Sequence, residues 1–185
     1  MSVRQAIDED GVAIRRIIAS TLLEAGFDPP NRVADGDLID PAYYRQPGRG
    51  IWVALDDGGA VVGCAAIDRG SGGLAVLKRL GGERLDELVS TAIAFAQGRG
   101  FETIEVVVPP PLVDARQAVE GAGLAACAAL VGRPRHRKRA LGGLGDHDVE
   151  WARRLHGGDM GLGQLHRRYL AGSQLLAGLA ERKFG

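Results

Sequence analysis

A hairpin turn between two strand-like segments is the feature that most restricts the fold of this chain. Residues 56–59 (DDGG) separate two short apolar segments, residues 51–55 (IWVAL) and residues 61–67 (VVGCAAI). Asp and Gly tolerate the backbone conformations of tight hairpin turns, and β-branched apolar segments between turns are typical of strands. A second turn, residues 69–73 (RGSGG), precedes residues 74–80, which can pair as a third strand. The sequence therefore predicts an antiparallel meander.

Helical and strand-like patterns alternate on both sides of this meander. The predicted helices cover residues 12–23, 34–45, 85–97 and 113–121. The predicted strands cover residues 2–7, 50–56, 60–68, 73–80, 102–108 and 124–131. A meander followed by a crossover helix and one more buried strand favours a mixed sheet with helices on both faces. We therefore expect an α/β (α+β) fold whose sheet is mostly antiparallel.

The composition restricts the class of protein. The longest unbroken apolar run, residues 124–131, is too short to span a bilayer, and the first residues show no apolar signal segment. Cys64 and Cys127 lie in apolar stretches, where cysteine is expected as a small core residue rather than in a disulfide. We therefore expect a cytoplasmic protein without a membrane partner.

The charges of the chain divide into two opposed parts. Residues 1–132 contain 12 Lys/Arg and 18 Asp/Glu, whereas residues 133–185 contain 11 and 5. The basic run at residues 133–139 (RPRHRKR) lacks the interleaved aromatic residues of a nucleic-acid site, so nucleic acid is not an expected partner. Opposite charges attract, and we interpret this run as a linker held against the acidic part. The predicted organisation is a folded domain over residues 1–132 and a basic linker with a C-terminal helical arm over residues 133–185.

An apolar stripe lies within the predicted arm. Its members recur at a spacing of three or four, with a gap at Gly172: Leu162, Leu165, Tyr169, Leu176 and Leu179. Such a stripe needs a partner surface, because a short isolated helix is marginal in water. We expect residues 160–182 to be helical and to form a homodimer contact. An arm folded back on its own domain would bury the same stripe.

No metal site is predicted from the tail. Its metal-capable side chains have no recognised ligand spacing: Asp146, His147, Asp148, His156 and His166. His156 and His166 are more typical of surface positions on helices.

Six short stretches of the first 132 residues occur in an order known from one enzyme superfamily. They are residues 37–40 (DLID), 50–54 (GIWVA), 59–63 (GAVVG), 77–80 (LKRL), 92–96 (AIAFA) and 115–124 (ARQAVEGAGL). Together they resemble the GNAT superfamily of N-acetyltransferases. The resemblance covers residues 2–132 and implies a GNAT-like domain.

The resemblance also implies a function and its site. It suggests a CoA-dependent N-acyltransferase that binds acetyl-CoA between its fourth and fifth strands and acetylates a small-molecule or peptide amine. The implied cofactor-binding residues are Lys78, Arg79, Leu80, Gly81, Gly82 and Arg84. The implied acceptor pocket contains Tyr43, Tyr44 and Trp52. As alternatives, Trp52 is a core residue, and residues 81–84 form only a tight strand-to-helix turn.

The chain departs from the superfamily pattern where the chemistry is usually performed. Leu85 occupies the position of the last glycine of the phosphate loop, and Glu83 in that loop would repel a phosphate. Val76 replaces the acid that commonly deprotonates the amine, and Val119 replaces the tyrosine that commonly protonates the leaving thiolate. No catalytic residue is therefore assigned, and we expect weak acetyl-CoA binding. A non-catalytic GNAT-like binding or assembly module is the alternative function, and a different reaction on this fold is a third.

Overall fold

Seven strands form one sheet in the computed structural model, which describes residues 2–30, 35–38, 40, 42–127 and 149–154. The strands are β1 (Ser2–Gln5), β2 (Gly50–Leu55), β3 (Val61–Arg69), β4 (Leu74–Gly82), β5 (Thr103–Val108), β6 (Ala125–Cys127) and β7 (Val149–Arg154). Their order across the sheet is β1-β2-β3-β4-β5-β7-β6. The β4–β5 pair is parallel and the other neighbouring pairs are antiparallel. The predicted mixed, mostly antiparallel sheet is thus confirmed.

The hairpin between β2 and β3 forms as the sequence predicts. Gly59 adopts a positive φ of 82°, which an L side chain would disfavour. The Asp56 carboxylate accepts a hydrogen bond from the N–H of Ala60 at 2.8 Å. The side chain of the first turn residue therefore stabilises the turn. This short connection fixes the register of β2 against β3.

Among the described residues, three α-helices cover the two faces of the sheet: α1 (Gly11–Glu24), α2 (Leu85–Gly98) and α3 (Val113–Gly121). α2 carries the crossover from β4 to the parallel strand β5. Its apolar face packs with the sheet and α3 into the larger core, which includes Leu77, Leu88, Ile104 and Val119. The smaller core on the opposite face contains Ile14, Ile18, Leu38, Val53 and Cys64. We call these two surfaces the α2 face and the α1 face of the sheet.

The single helix predicted over residues 34–45 is wrong. The described residues of this segment contain two separate 3-10 turns, Gly36–Leu38 and Tyr43–Arg45. Pro41 lies between them; it has no N–H for a helical hydrogen bond, and it disfavours helical backbone at the residue before it. We call residues 35–49 the acceptor-side segment.

A strand that the sequence analysis did not predict completes the sheet. β7 comes from the part of the chain that was expected to be linker and helical arm, and it lies between β5 and β6. It pairs with β5 from Thr103↔Arg154 to Val108↔Val149. The basic run 133–139, the helix expected over 160–182 and the metal-capable side chains of the tail lie outside the described residues. Within the described residues, no helix has the length and apolar character needed to cross a membrane.

Candidate functional site

β4 and β5 separate from each other partway along their length. Their parallel pairing begins at Leu74↔Thr103 and ends at Leu77↔Val106, although β4 continues to Gly82 and β5 to Val108. We call the opening between residues 78–82 and residues 107–108 the β4–β5 gap. Strand backbone groups that border such a gap are available to a ligand of narrow cross-section.

A β-bulge in β4 lies at the start of this gap. Ala66 pairs with Lys78 and Cys64 pairs with Gly81, so β4 has one residue more than β3 over this interval. Arg79 absorbs the extra residue with a left-handed backbone, at a φ of 60°. The thiol of Cys64 donates to the Arg79 carbonyl oxygen at 3.4 Å. The bulge breaks the usual alternation of side chains, and both Lys78 and Arg79 reach carboxylates of the acceptor-side segment.

Arg79 binds two aspartates of the acceptor-side segment. Its Nη1 donates to Asp35 Oδ1 at 2.7 Å, and its Nε and Nη2 donate to the two oxygens of Asp37 at 3.0 and 2.5 Å. The hydroxyl of Tyr44 also donates to Asp37. Tyr44 is buried, and the side chains of Asp37 and Arg79 are only 7% and 14% exposed. A bidentate contact between an arginine and a carboxylate has a defined geometry, and this one is largely shielded from water. It therefore holds the acceptor-side segment against the bulge.

Asp68 is the centre of a second set of contacts beside the first. The Tyr43 hydroxyl donates to Asp68 Oδ2 at 2.5 Å and Lys78 Nζ donates to the same oxygen at 2.9 Å. Arg49 Nε donates to Asp68 Oδ1 at 2.7 Å, and the Arg49 guanidinium lies 4.1 Å from the centre of the Tyr43 ring. Lys78 also lies 3.2 Å from Asp37, which joins the two sets into one network.

The protonation states of this network follow from its contacts. Burial alone would raise the pKa of Asp37, but hydrogen bonds from Arg79 and Tyr44 outweigh burial and lower that pKa to about 2. Burial would likewise raise the pKa of Asp68, and hydrogen bonds from Tyr43 and Lys78 lower it. Burial and the bond to Asp68 raise the pKa of Tyr43 to about 12, and burial beside Asp37 raises that of Tyr44 further. At neutral pH both aspartates are anions and both tyrosines are protonated donors, so none of the four is an effective base.

The turn from β4 into α2 packs tightly against the rest of the sheet. A Cβ on Gly82 would lie 2.1 Å from the Val62 carbonyl oxygen, and a Cβ on Gly81 would lie 2.9 Å from Thr21 Oγ1. Arg84 has a φ of 57°, and its guanidinium donates to Glu87 and to the Leu55 carbonyl oxygen. These glycines therefore permit close approach of the turn to β3 and α1.

The sequence-predicted site residues fall into three places. Tyr43 and Tyr44 lie together on the α1 face, with ring centres 5.0 Å apart, and meet Lys78 and Arg79 there. Trp52 lies on the α2 face, where it is 7% exposed and packs edge-on against Phe95. Leu80 belongs to the core on that same face, and Gly81, Gly82 and Arg84 form the turn. Trp52 is thus separated from the two tyrosines by the thickness of the sheet.

Two acidic residues that the sequence analysis did not single out flank Val76. In the register of the sheet, Val76 pairs with Asp68 on β3 and with Glu105 on β5. Ile104, Val106 and Val108 lie in the core on the α2 face, so the alternation of β5 places Glu105 on the α1 face. A single polar residue inside the apolar run 103–108 (TIEVVV) was the signal that could have identified Glu105.

Comparison with proteins of known structure identifies the fold. The chain is similar to a GNAT-family acetyltransferase from Staphylococcus aureus Mu50, with a TM-score of 0.66 and 14% identity over 84% of this chain and 99% of that one. It is similar to yncA, a putative acetyltransferase from Salmonella typhimurium solved with acetyl-CoA, with a TM-score of 0.64 and 17% identity over 87% and 97%. It is also similar to a phosphinothricin acetyltransferase from Sinorhizobium meliloti solved with acetyl-CoA, with a TM-score of 0.63 and 19% identity over 85% and 89%.

The comparisons made by sequence found no match for this chain. No protein-family model matches the chain, and no protein of curated function does. The likeness therefore lies in the arrangement of strands and helices, and it bears out the resemblance that the short stretches indicated. The chain has the fold of the GNAT superfamily of N-acetyltransferases.

Proposed function

We propose that this protein is an N-acyltransferase that moves an acyl group from a thioester of the CoA type to an amine. The observation that carries the proposal is the end of the β4–β5 pairing at Leu77↔Val106, which opens the sheet beside the acceptor-side segment. A thioester supplies an activated acyl group. In the transfer, the amine nitrogen bonds to the acyl carbon, the carbon–sulfur bond breaks and the sulfur leaves as a thiolate, which takes a proton from water. The proton lost by nitrogen must be accepted by a base.

Glu105 is the residue to which we assign this base. Val76 cannot accept a proton, and Glu105 lies on the adjacent strand at the same level, one pair before the gap opens. Asp68 flanks Val76 on the other side, but Tyr43, Lys78 and Arg49 engage its oxygens. A carboxylate in contact with these donors has little tendency to take a proton. Glu105 is the other carboxylate that flanks Val76 among the described strands, and its place in the register carries the assignment.

The donor fits one part of this site and not another. The gap suits a narrow, uncharged arm, since the edges of β4 and β5 offer backbone donors and acceptors beyond Leu77 and Val106. The turn that follows β4 does not suit a phosphate, because its glycines contact the protein's own α1 and β3. We therefore assign donor contacts to Lys78–Leu80 through the gap and none to Gly81, Gly82 or Arg84.

The acceptor is proposed to approach from the acceptor-side segment. Tyr43 and Arg49 are partly exposed there, and the network contains three carboxylates and three cations that balance in charge. A neutral surface of this kind has no strong preference for a highly charged acceptor. It suits a small-molecule or peptide amine whose own charge is modest.

Turnover by the full-length protein tests the proposal. Acetyl-CoA would be offered with amino acids, polyamines and short peptides, and release of free thiol would be followed. We expect thiol release with at least one amine class. Glu105→Gln should lower kcat about 100-fold with little change in KM, and it should remove the ascending limb of the pH–rate profile. Glu102→Gln, an exposed residue just before β5, is the matched control and should behave as wild type.

A non-catalytic GNAT-like binding module is the second candidate, and one observation favours it. Val119, at the position of the superfamily's leaving-group tyrosine, is completely buried in the core on the α2 face. If acetyl-CoA binds but no amine releases thiol, and Glu105→Gln leaves that binding unchanged, this candidate replaces the enzyme.

A further inference from the structure

Two backbone N–H groups of the turn after β4 already have protein partners. The Gly82 N–H donates to Thr21 Oγ1 at 3.3 Å, and the Glu83 N–H donates to the Val62 carbonyl oxygen at 2.9 Å. Backbone N–H groups of such a turn would have to point toward an anion in order to hold a phosphate. Here the two glycines bring the turn against β3 and α1, so the N–H groups of Gly82 and Glu83 point toward protein acceptors instead.

Arg84, the one basic side chain of the turn, is also occupied. Its Nε donates to Glu87 Oε1 at 2.9 Å, its Nη2 donates to Glu87 Oε2, and its Nη1 donates to the Leu55 carbonyl oxygen at 3.1 Å. The Arg84 side chain is only 16% exposed. A phosphate that bound this arginine would have to displace both partners, and one of them is an acid in the first turn of α2.

The charge of the turn opposes a phosphate as well. Glu83, Asp86 and Glu87 are exposed, and they outnumber the single cation Arg84. Asp86 and Glu87 lie in the first turn of α2, where acidic side chains already compensate the partial positive charge of the helix N-terminus. The sequence alone showed Glu83 as a misfit. The structure adds the closed pair Arg84–Glu87 and the inward-pointing amides.

We propose that this protein recognises its acyl donor through the pantetheine arm alone and gains no affinity from the phosphates of CoA. The inference rests on the proposed function, because it assumes that the β4–β5 gap holds a thioester arm. The gap and the turn are adjacent along β4, yet they differ in what they can bind. The strand edges of the gap can bind the amide groups of the pantetheine arm. The turn, where the phosphates would follow, is acidic, and its Gly82 and Glu83 N–H groups and the Arg84 guanidinium are already paired. The donor class is therefore an acyl thioester of pantetheine, whether or not a nucleotide is attached.

Binding of pantetheine and of CoA to the full-length protein tests this inference. Calorimetry should give dissociation constants for the two that agree within about threefold, with no weakening of CoA binding between low and high salt. CoA binding tenfold tighter than pantetheine binding, or CoA binding that weakens with salt, would overturn the inference and leave acyl transfer standing. Failure of both to bind at millimolar concentration would overturn the proposed function, and the inference with it.

A charge-removing variant provides a second test. Glu87→Gln removes one acid and loosens the hold on Arg84, and Glu87 is exposed enough that folding should be unaffected. We expect CoA affinity to rise about three- to fivefold while pantetheine affinity stays the same, because only CoA carries charge near the turn. Glu120→Gln removes an exposed acid from α3 and is the matched control, with no change for either ligand. An unchanged ratio of the two affinities in Glu87→Gln would contradict the inference.

Discussion

Replacement of Asp37 by asparagine should destabilise the protein through the network that holds the acceptor-side segment. Asp37 accepts hydrogen bonds from Arg79 and Tyr44 and lies 3.2 Å from Lys78. A carboxyl whose pKa falls from 3.8 to about 2 on folding contributes about 2 kcal/mol to the free energy of unfolding at neutral pH. Because Asp35 still binds Arg79 in the variant, the loss should stay near that value rather than reach the larger cost of a fully orphaned buried charge.

The pH dependence of the same variant gives a sharper test. The pKa of Asp37 is depressed in the folded state, so its stabilisation is fully present above the unfolded pKa of 3.8. That stabilisation disappears as the pH falls from about 4 towards about 2. The difference in unfolding free energy between wild type and Asp37→Asn should therefore be largest at pH 7 and shrink through this interval.

Urea unfolding followed by circular dichroism at pH 7 and pH 3 measures both effects. Asp8→Asn is the matched control, because Asp8 pairs with Arg45 of the same segment but the two side chains are 51% and 62% exposed. An exposed pair of this kind contributes about 0 to 1 kcal/mol. If Asp37→Asn costs no more than Asp8→Asn, or if the cost of Asp37→Asn is constant between pH 7 and pH 3, the network does not hold the segment in the way described.

Two further changes test the packing of the turn and the role of the tail. Gly63→Ala should lower the free energy of unfolding by about 2 kcal/mol or more, because its Cβ would lie 2.1 Å from a main-chain carbonyl oxygen. Gly98→Ala, in α2 with no atom within 4 Å of the added Cβ, should be neutral or slightly stabilising, and equal effects would refute the close approach. Deletion of residues 156–185 keeps the whole described sheet, and it should convert the proposed homodimer to a monomer in light scattering. If the shortened protein has the same number of subunits as the full-length protein, the arm is not the dimer contact.

The sequence predicted the elements that local patterns determine. The turn at residues 56–59 has the residues that a tight hairpin needs, and the strands on either side form where expected. The crossover helix α2 carries its apolar residues on one face, and it begins at Leu85 as predicted. In these elements the local pattern and the tertiary contacts agree, which is why the pattern sufficed.

The parts that the sequence did not predict depend on contacts far apart along the chain. Lys78 and Arg79 are consecutive, and the bulge brings both of them to Asp37 of the acceptor-side segment. Glu105 becomes a candidate base through its register with Val76, and register between parallel strands cannot be read from either strand alone. β7 has only Val149 and Trp151 at alternating positions, too short a pattern to stand out in a polar tail.

The position of β7 ties the completion of this protein to the order of its synthesis. β5 (TIEVVV) is rich in Ile and Val and pairs with β4 on one side. Its other edge is covered by a strand about forty residues later in the chain. Until that strand emerges from the ribosome, the edge of β5 is an open, apolar template for any extended segment. β6 pairs with β7 and has no other strand neighbour in the described sheet, so it too waits for β7. A chain that ends within residues 128–148 would therefore lack β7 and leave this edge of β5 exposed and prone to aggregation.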